Sequence, residues 1–507
     1  MGGGAGMSDI RMKTASGRWI LLATVLGSGI VGIDATVVNV ALPTIGTDFG
    51  TDFAALQWIV TGYTLTLASF ILLGGSLGDR YGRRRIFIIG VIWFAVASLL
   101  CGLAPNAGLL IAARALQGVG GALLTPGSLA IIQASFSGED RARAIGAWSG
   151  LGGVATAIGP FLGGWLVESV SWRWIFLINV PIAAAVVWVA ARHVPETRDA
   201  DATGRLDVAG AVLGALALAG TTYALIEAPS LGIGSWGVLA SGVLGLAAAA
   251  MFLVVEWRTE HPMLPLRIFG NRQFSAANAV TFLIYAVFGG IFFLLVVHLQ
   301  VVAGFSPVAS GIAMLPITAL MLVLSPRAGA LSARIGPKIP MAVGPVLCAL
   351  ALALMLRIGP GASYLFDVLP AVIVLGLGLS LLVAPLTATA LSSVPEHQAG
   401  LASGVNNAVA RAAGLIAIAV LPAAAGLTGD AYSDPLQFEA GFDRACVIGA
   451  VVLVLGGILA AVTIRNPVVL ETEHPAHCAV DGTPVAPGAL LGTHASADGQ
   501  DAGPLRP

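Results

Sequence analysis

The chain has 507 residues, of which 57% are hydrophobic and 10% are charged, and its formal net charge at pH 7 is −1. Soluble domains carry about 25% charged residues, and a mean hydropathy of +0.91 therefore excludes an ordinary water-soluble fold. The balance of 25 basic against 26 acidic residues gives no sign of a partner that is a nucleic acid.

Long apolar runs, separated by short charged segments, follow one another along nearly the whole chain. A helix that rises 1.5 Å per residue needs about 20 apolar residues to cross a hydrocarbon core of ~30 Å. Fourteen runs approach or exceed this length, so the sequence predicts an all-α membrane protein embedded in the lipid bilayer. In chain order the runs are 19–42, 53–77, 86–103, 107–134, 144–167, 174–191, 208–226, 234–255, 274–303, 307–325, 339–356, 368–394, 399–427 and 445–464.

The basic residues concentrate on one side of the predicted membrane. Short cytoplasmic loops carry the excess of Lys and Arg in membrane proteins. With the N-terminus in the cytoplasm, the inner segments hold 20 basic residues and the outer loops hold Arg173, Arg357 and Arg444. We therefore predict a multi-pass protein of the plasma membrane, with residues 1–18 and a disordered tail, 465–507, in the cytoplasm.

An internal repeat divides the chain. Residues 75–84 (GSLGDRYGRR), after the second run, align without gaps with residues 329–338 (GALSARIGPK), after the tenth, although the second copy lacks the Asp. The repeat pairs runs 1–6 with runs 9–14, which predicts two six-helix bundles, 19–191 and 274–464, and two inserted helices within 208–255. Such duplicated halves rock around a site at the membrane midplane in transporters. The repeat therefore favours a transporter over a receptor or an enzyme.

Five motifs occur in order along the predicted helices. They are residues 33–43 (IDATVVNVALP), 75–84, 114–118 (RALQG), 159–164 (GPFLGG) and 171–181 (SWRWIFLINVP). With these motifs the chain, from residue 15 to 465, resembles the major facilitator superfamily and, within it, the fourteen-helix drug:H⁺ antiporters. The resemblance implies the major facilitator fold and a monomer that moves a small-molecule substrate against H⁺. It implies no enzymatic activity and no cofactor, since the proton motive force supplies the energy.

Asp34 is the one carboxylate well inside a predicted helix. An ionised carboxylate at the centre of a membrane helix costs about 2.5–3.5 kcal/mol even on insertion scales. Asp34 lies eight residues from Leu42, or ~12 Å, and Arg114 lies seven residues from Ala107, or ~10 Å, so both have similar depth. The two form either a static ion pair or a coupling site, in which Asp34 holds a proton and a cationic substrate alternately and Arg114 adjusts its protonation.

The loop motif has a mechanical interpretation. Gly75 and Gly78 are small enough to let helix 2 approach a neighbour closely. The resemblance implies that Asp79 and Arg80 bond across the cytoplasmic face and lock the outward-open state, whereas Arg83 also serves as a topology signal. The predicted gate comprises Gly75, Gly78, Asp79, Arg80, Gly82 and Arg83.

The motif in helix 5 predicts a bend in the helix and a helix face without side chains. Gly159 and Pro160 interrupt the backbone hydrogen bonding, and Gly163 and Gly164 leave a surface without side chains. A bend against the opposite half would seal the cavity against leaks. An ordinary close contact between helices is the alternative.

Two further ionisable side chains lie inside predicted helices. His298 is predicted to be a polar residue at the membrane interface rather than a proton carrier. Arg411, beside Asn406 and Asn407, is predicted to bond the backbone of neighbouring helices, with a direct role in substrate binding as the alternative.

The substrate cavity is predicted from polar and aromatic residues of helices 1, 2, 4 and 9. Aromatic residues in such positions also serve as packing or face lipid. Few buried charges with many aromatic rings fit lipophilic or amphiphilic compounds better than sugars or phosphates. The candidates are Asn39, Trp58, Tyr63, Gln117, Tyr285, Phe288 and Phe292.

The predicted function is therefore proton-coupled efflux of lipophilic or cationic small molecules, such as drugs, antibiotics and dyes, by alternating access. The sequence has no GxxxxGK[ST] phosphate-binding loop, so ATP is not the expected energy source. Two alternatives remain: an exporter of one metabolite, such as a self-made antibiotic, an amino acid or a lipid, and a non-transporting membrane sensor on the same fold.

Overall fold

The computed structural model describes residues 11–199, 206–260, 262–395, 398–428 and 434–466. Within these ranges, 14 helices are long and apolar enough to cross a membrane, which confirms the predicted all-α architecture. The predicted tail from residue 467 onward and the first ten residues lie outside the described ranges. The helices are α1 Ala15–Phe49, α2 Phe53–Tyr81, α3 Arg83–Gly102, α4 Ala107–Ser135, α5 Gly138–Ser169, α6 Trp174–His193, α7 Val208–Leu231, α8 Trp236–Arg258, α9 Arg272–Val301, α10 Pro307–Ile335, α11 Lys338–Met355, α12 Tyr364–Ser392, α13 Ala399–Ala424 and α14 Pro435–Thr463.

Several helices extend past the apolar runs that predicted them. α10 continues through Pro326 and Arg327 to Ile335, and α14 begins at Pro435, ten residues before the predicted start at 445. The added turns carry charged residues, and the backbone of a helix satisfies its own hydrogen bonds wherever the membrane ends. At the start of α14 the Asp434 side chain accepts hydrogen bonds from the backbone of the first turn, as an N-cap does. Hydropathy therefore located the spans and underestimated their lengths.

The helices form two bundles, and the hydrogen bonds between them lie toward one face of the membrane. α1–α6 pack mainly among themselves, as do α9–α14. We call the face at which α1 begins and α14 ends the terminal face, and the other the far face. Three hydrogen bonds between the bundles lie toward the far face: Gln57 Nε2 to Ile418 O (2.5 Å), Gln300 Nε2 to Val40 O (2.9 Å) and Val308 N to Glu168 Oε2 (3.3 Å).

The inserted helices α7 and α8 form a hairpin beside the two bundles. α8 packs on α7, and α7 packs on both α2 and α13, so it contacts a helix of each bundle. Trp58 of α2 donates a hydrogen bond from Nε1 to Glu227 Oε1 of α7 at 2.8 Å, and its ring lies 6.1 Å from that of Tyr223. α7 therefore covers the seam between α2 and α13.

The two copies of the repeated loop are held in the same way. Gly82 and Gly336 both have positive φ, 111° and 85°, a backbone conformation that glycine tolerates best. A Cβ at Gly82 would collide with Glu196, just after α6, and one at Gly336 would collide with Asn466, just after α14. Each loop is thus held by the residue that follows the last helix of its own bundle.

Candidate functional site

The deep polar groups of the first bundle form one buried cluster around Asp34. Arg114 Nη1 donates to Asp34 Oδ2 at 2.5 Å, Gln117 Nε2 donates to Asp34 Oδ1 at 2.8 Å, and Asn179 Nδ2 lies 3.3 Å from the same oxygen. Ser98 Oγ accepts hydrogen bonds from Gln117 (2.7 Å) and Asn179 (3.3 Å). Helices α1, α3, α4 and α6 therefore meet at one carboxylate.

The cluster is closed to solvent. The exposed fractions of the Asp34 and Arg114 residues are both 1%. Arg114 also donates from Nε to Ile59 O of α2 at 3.1 Å, and its guanidinium lies 4.2 Å from the centre of the Tyr63 ring. The ring of Phe176 lies 5.7 Å from the same guanidinium. Hydrogen bonds and aromatic faces thus compensate both buried charges, as a low-dielectric site requires.

In the structure Asp34 contacts Arg114, as their similar depth predicted. The same hydrogen-bonded cluster also contains Gln117, Asn179 and Ser98. Gln117, predicted to line a substrate cavity, is fully buried in this structure, where its amide bonds Asp34, Arg114 and Ser98. Asn179 belongs to the motif at 171–181, so the sequence singled it out but predicted no function for it. Ser98 lies in an apolar run that gave no signal.

The loop motif is bonded within its own bundle. Asp79 Oδ1 accepts from Arg83 Nη2 at 2.8 Å, one helical turn along the chain, and the backbone carbonyl of Asp79 accepts from Asp199 N at 3.0 Å. The Arg80 guanidinium lies 5.6 Å from the Tyr81 ring centre. The predicted bond from Asp79 to the other bundle is thus absent from the contacts of the described residues, and a local ion pair takes its place.

The close approach of α2 to a neighbour occurs one residue away from the predicted position. A Cβ at Gly75 would make ordinary contact with Pro126 at 3.6 Å, and one at Gly78 would meet nothing nearer than 3.9 Å. A Cβ at Gly74 would instead collide with the backbone of Ala122 on α4. The prediction for Gly75 and Gly78 was wrong because the face of α2 that meets α4 depends on the rotation of the helix.

The glycines of the helix 5 motif serve two contacts. Gly159 and Gly163 face α1, where a Cβ would crowd Thr36 and Val37. Gly164 faces the backbone of Pro307 at the start of α10 in the other bundle. The carbonyl of Pro160 likewise lies against Gly311. The motif therefore lies at a close crossing of the two bundles, and α5 runs unbroken through the proline.

The remaining cavity candidates have different surroundings. Trp58 is partly buried and donates a hydrogen bond to α7. Phe288 is buried in the apolar core, and the partly buried Phe292 lies 5.8 Å from it. Tyr285 is partly buried on the same helix. Asn39 has a buried Oδ1 without a hydrogen-bond partner.

His298 and Arg411 have different surroundings. His298, three residues before the end of α9, is fully buried: its Nε2 lies 2.6 Å from Ile358 O, and its ring stacks on Phe442 with 4.0 Å between centres. Arg411 was predicted to bond neighbouring backbones, yet its buried Nε has no hydrogen-bond partner. α13 packs against α2 and α9, and a Cβ at Gly414, three residues after Arg411, would lie 3.9 Å from Tyr285 O.

Residues 24–419 match the family model of the major facilitator superfamily. The chain belongs to the major facilitator superfamily. It is therefore a multi-pass membrane protein of a transporter superfamily whose members are generally not enzymes. Similar solved structures include a peptide transporter POT in complex with sulfate, with a TM-score of 0.66 and 16% identity over 90% of this chain and 96% of that one. At this identity the likeness shows the fold alone.

The related sequences of this superfamily member are resistance and export proteins by name. The multidrug resistance protein Stp of Mycobacterium tuberculosis is 36% identical over 79% of this chain and 74% of its own length. The puromycin resistance protein pur8 of Streptomyces alboniger is 37% identical over 80% and 81%. The tetracenomycin C resistance and export protein of Streptomyces glaucescens is 37% identical over 82% and 77%.

Proposed function

We propose that this superfamily member exports lipophilic small molecules, such as drugs, antibiotics and dyes, in exchange for protons by alternating access. The cluster around Asp34 carries the proposal, since it is a carboxylate at membrane depth held by three donors from α4 and α6. Such intramembrane carboxylates mark proton relays. Three related sequences with resistance or export names point the same way.

The cluster converts protonation into movement. As a carboxylate, Asp34 only accepts hydrogen bonds, and Arg114 neutralises its charge. A protonated Asp34 has lost that charge and needs an acceptor for its own O–H, so Arg114 and Gln117 must rearrange. Because these residues lie on α1 and α4, a proton alters how the helices of the first bundle pack. One proton crossing 100 mV contributes about 2.3 kcal/mol, so no cofactor is required.

The bundles 19–191 and 274–464 are the bodies that rock, and the protein works as a monomer in the plasma membrane. With both termini in the cytoplasm, the far face is the outside, and bundles joined there represent a conformation open toward the cytoplasm. The local Asp79–Arg83 pair then belongs to this conformation, and Asp79 exchanges it for a bond to the other bundle in the outward-open one.

Replacement of Asp34 tests the coupling. Asp34→Asn keeps the shape and a hydrogen-bond acceptor, but its side chain cannot bind and release a proton near neutral pH. We therefore expect it to abolish substrate accumulation driven by a pH gradient in proteoliposomes. Asp34→Glu, with a longer arm, should retain part of the rate. The control is Asp52→Asn, because Asn caps α2 as Asp does.

Accumulation against a gradient by Asp34→Asn at the wild-type rate would contradict the proposal. A sensor that transports nothing would show no accumulation with any variant, including wild type. A narrow exporter would accumulate one compound of a panel of dyes and antibiotics, and Asp34→Asn would abolish that too.

A further inference from the structure

Arg411 is a membrane-embedded cation without an anion. It lies on α13, 12 residues after Ala399 (411 − 399) and 13 before Ala424 (424 − 411), hence ~18–20 Å from either end. Among the described residues no carboxylate pairs with it, and its Nε is buried without a hydrogen-bond partner. A cation at this depth is costly to place in a membrane and is normally paired.

The groups near Arg411 come from both bundles. α13 packs against both α2 and α9. Gln57 bonds Ile418 O and a Cβ at Gly404 would lie 3.0 Å from Leu72, so Tyr63 of α2 is level with Arg411. A Cβ at Gly414, three residues after Arg411, would lie 3.9 Å from the Tyr285 carbonyl of α9. Tyr63 is 2% exposed, and its hydroxyl also lacks a hydrogen-bond partner. The interior between the bundles thus holds an unpaired cation and an unpartnered hydroxyl, at the depth where transporters of this architecture bind substrate.

The other charges at this depth are already satisfied. Asp34 has three hydrogen-bond donors within 3.3 Å and 1% exposure, so its carboxylate is not available to a cationic substrate in this conformation. Arg411 therefore offers the free charge. A guanidinium and a phenolic hydroxyl both donate hydrogen bonds, and both can bind the same anionic oxygen.

We propose that Arg411, Tyr63 and Tyr285 form the site for the acidic group of the substrate, which makes the transported class lipophilic organic anions: aromatic compounds with a carboxylate or an ionised phenol. This rests on the proposed export function and narrows its lipophilic substrates to anions, in place of the cations that the sequence predicted. Phe288 and Phe292 follow Tyr285 at helical spacings of three and seven, so the same face of α9 continues toward the far face with two rings for the apolar part.

The same site also explains how substrate and proton communicate. The Tyr63 ring lies 4.2 Å from the Arg114 guanidinium, which holds Asp34, while its buried hydroxyl has no hydrogen-bond partner. An anion that draws the Tyr63 hydroxyl toward Arg411 changes the aromatic face that Arg114 contacts. One tyrosine therefore connects the anion site to the proton-carrying cluster.

Direct binding tests the anion site without any proton gradient. The purified full chain in detergent is titrated with naphthalene, anthraquinone and pyrene carboxylates and, for each ring system, with the neutral primary amide. We expect wild type to bind at least one carboxylate about tenfold more tightly than its amide, the preference that one charge-assisted contact of ~1.4 kcal/mol gives. Arg411→Gln should reduce that preference to twofold or less, and Arg411→Lys should keep part of it.

The control variant is Arg327→Gln, which removes an exposed arginine of α10 bonded to its own helix. Equal binding of carboxylate and amide by wild type in all three ring systems would overturn the anion site, and this comparison needs no variant. Undiminished preference in Arg411→Gln would overturn it as well. If the protein transports in response to a proton gradient but shows no preference for carboxylates, only the anion site is wrong. If it prefers carboxylates but shows no proton-driven transport, only the export function is wrong.

Discussion

At the residue scale, the energetics of the protein centre on one ion pair. The Asp34 and Arg114 side chains are almost fully removed from solvent, and each is held by further groups: Gln117 and Asn179 for the carboxylate, Ile59 O for the guanidinium. Loss of one partner of such a pair leaves an uncompensated charge. If both are replaced by the corresponding amides, Asn and Gln, no charge remains and the amides can still form hydrogen bonds.

A double-mutant cycle should therefore show strong coupling. We expect Arg114→Gln to lower the free energy of unfolding by about 3–5 kcal/mol, because the Asp34 carboxylate stays buried without its cation. Asp34→Asn combined with Arg114→Gln should recover part of that loss. Denaturant titration in detergent, followed by helicity, measures both. Additive effects of the two single changes would show that the pair does not compensate charge in the folded state.

At the element scale, the crossing of α5 and α10 holds the bundles together at the far face. Gly164 lies against the backbone of Pro307, and Gly311 lies against the Pro160 carbonyl, so neither position has room for a side chain. Small residues permit such close packing of membrane helices, in which dispersion and not water supplies the attraction. A side chain at this crossing must push the helices apart.

Gly164→Val should open the far face. Helix axes in contact lie about 8–10 Å apart depending on the side chains between them, so we expect a separation of roughly 1–2 Å. Spin labels at Thr47 and Leu436, exposed residues at the far-face ends of α1 and α14, should report a longer mean distance. Gly234→Val is the matched control, because a Cβ there meets open space. An unchanged distance in Gly164→Val would mean that the crossing does not hold the bundles together.

At the scale of the whole molecule, the arrangement of the helices and the distribution of charge give one orientation. The hydrogen bonds between the bundles lie toward the far face, and the basic loop that follows α2 lies at the terminal face. If the terminal face is cytoplasmic, the positive-inside rule is satisfied.

Single cysteines can test this orientation in intact cells. Cysteines at Ser230 and Asp434, at the far face, should react with a membrane-impermeant maleimide added outside. A cysteine at Arg83 should react only after the cells are permeabilised. Cys478, the fourth native cysteine, is first replaced by serine. The buried Cys101, Cys348 and Cys446 should stay unreactive in the folded protein, so they supply the internal control. Labelling of Arg83→Cys in intact cells would reverse the proposed orientation.

The sequence by itself determined the features that follow from position along the chain. The number of spans depends on the length of apolar runs, the two bundles depend on a repeat, and the pairing of Asp34 with Arg114 followed from equal depth in two helices. These are one-dimensional properties, because a membrane of constant thickness converts distance along a helix into depth.

Only the tertiary structure decided which face of each helix meets which neighbour. Gln117 hydrogen-bonds Asp34, and Trp58 hydrogen-bonds α7. Gly74, and not Gly75, is the residue of α2 that packs closely against α4. Arg411 came to lie level with Tyr63 of the other bundle, 348 positions away (411 − 63). Each of these outcomes depends on the rotation and crossing of helices that touch over their whole length. The packing of all neighbours sets that rotation, and no local pattern of residues contains it.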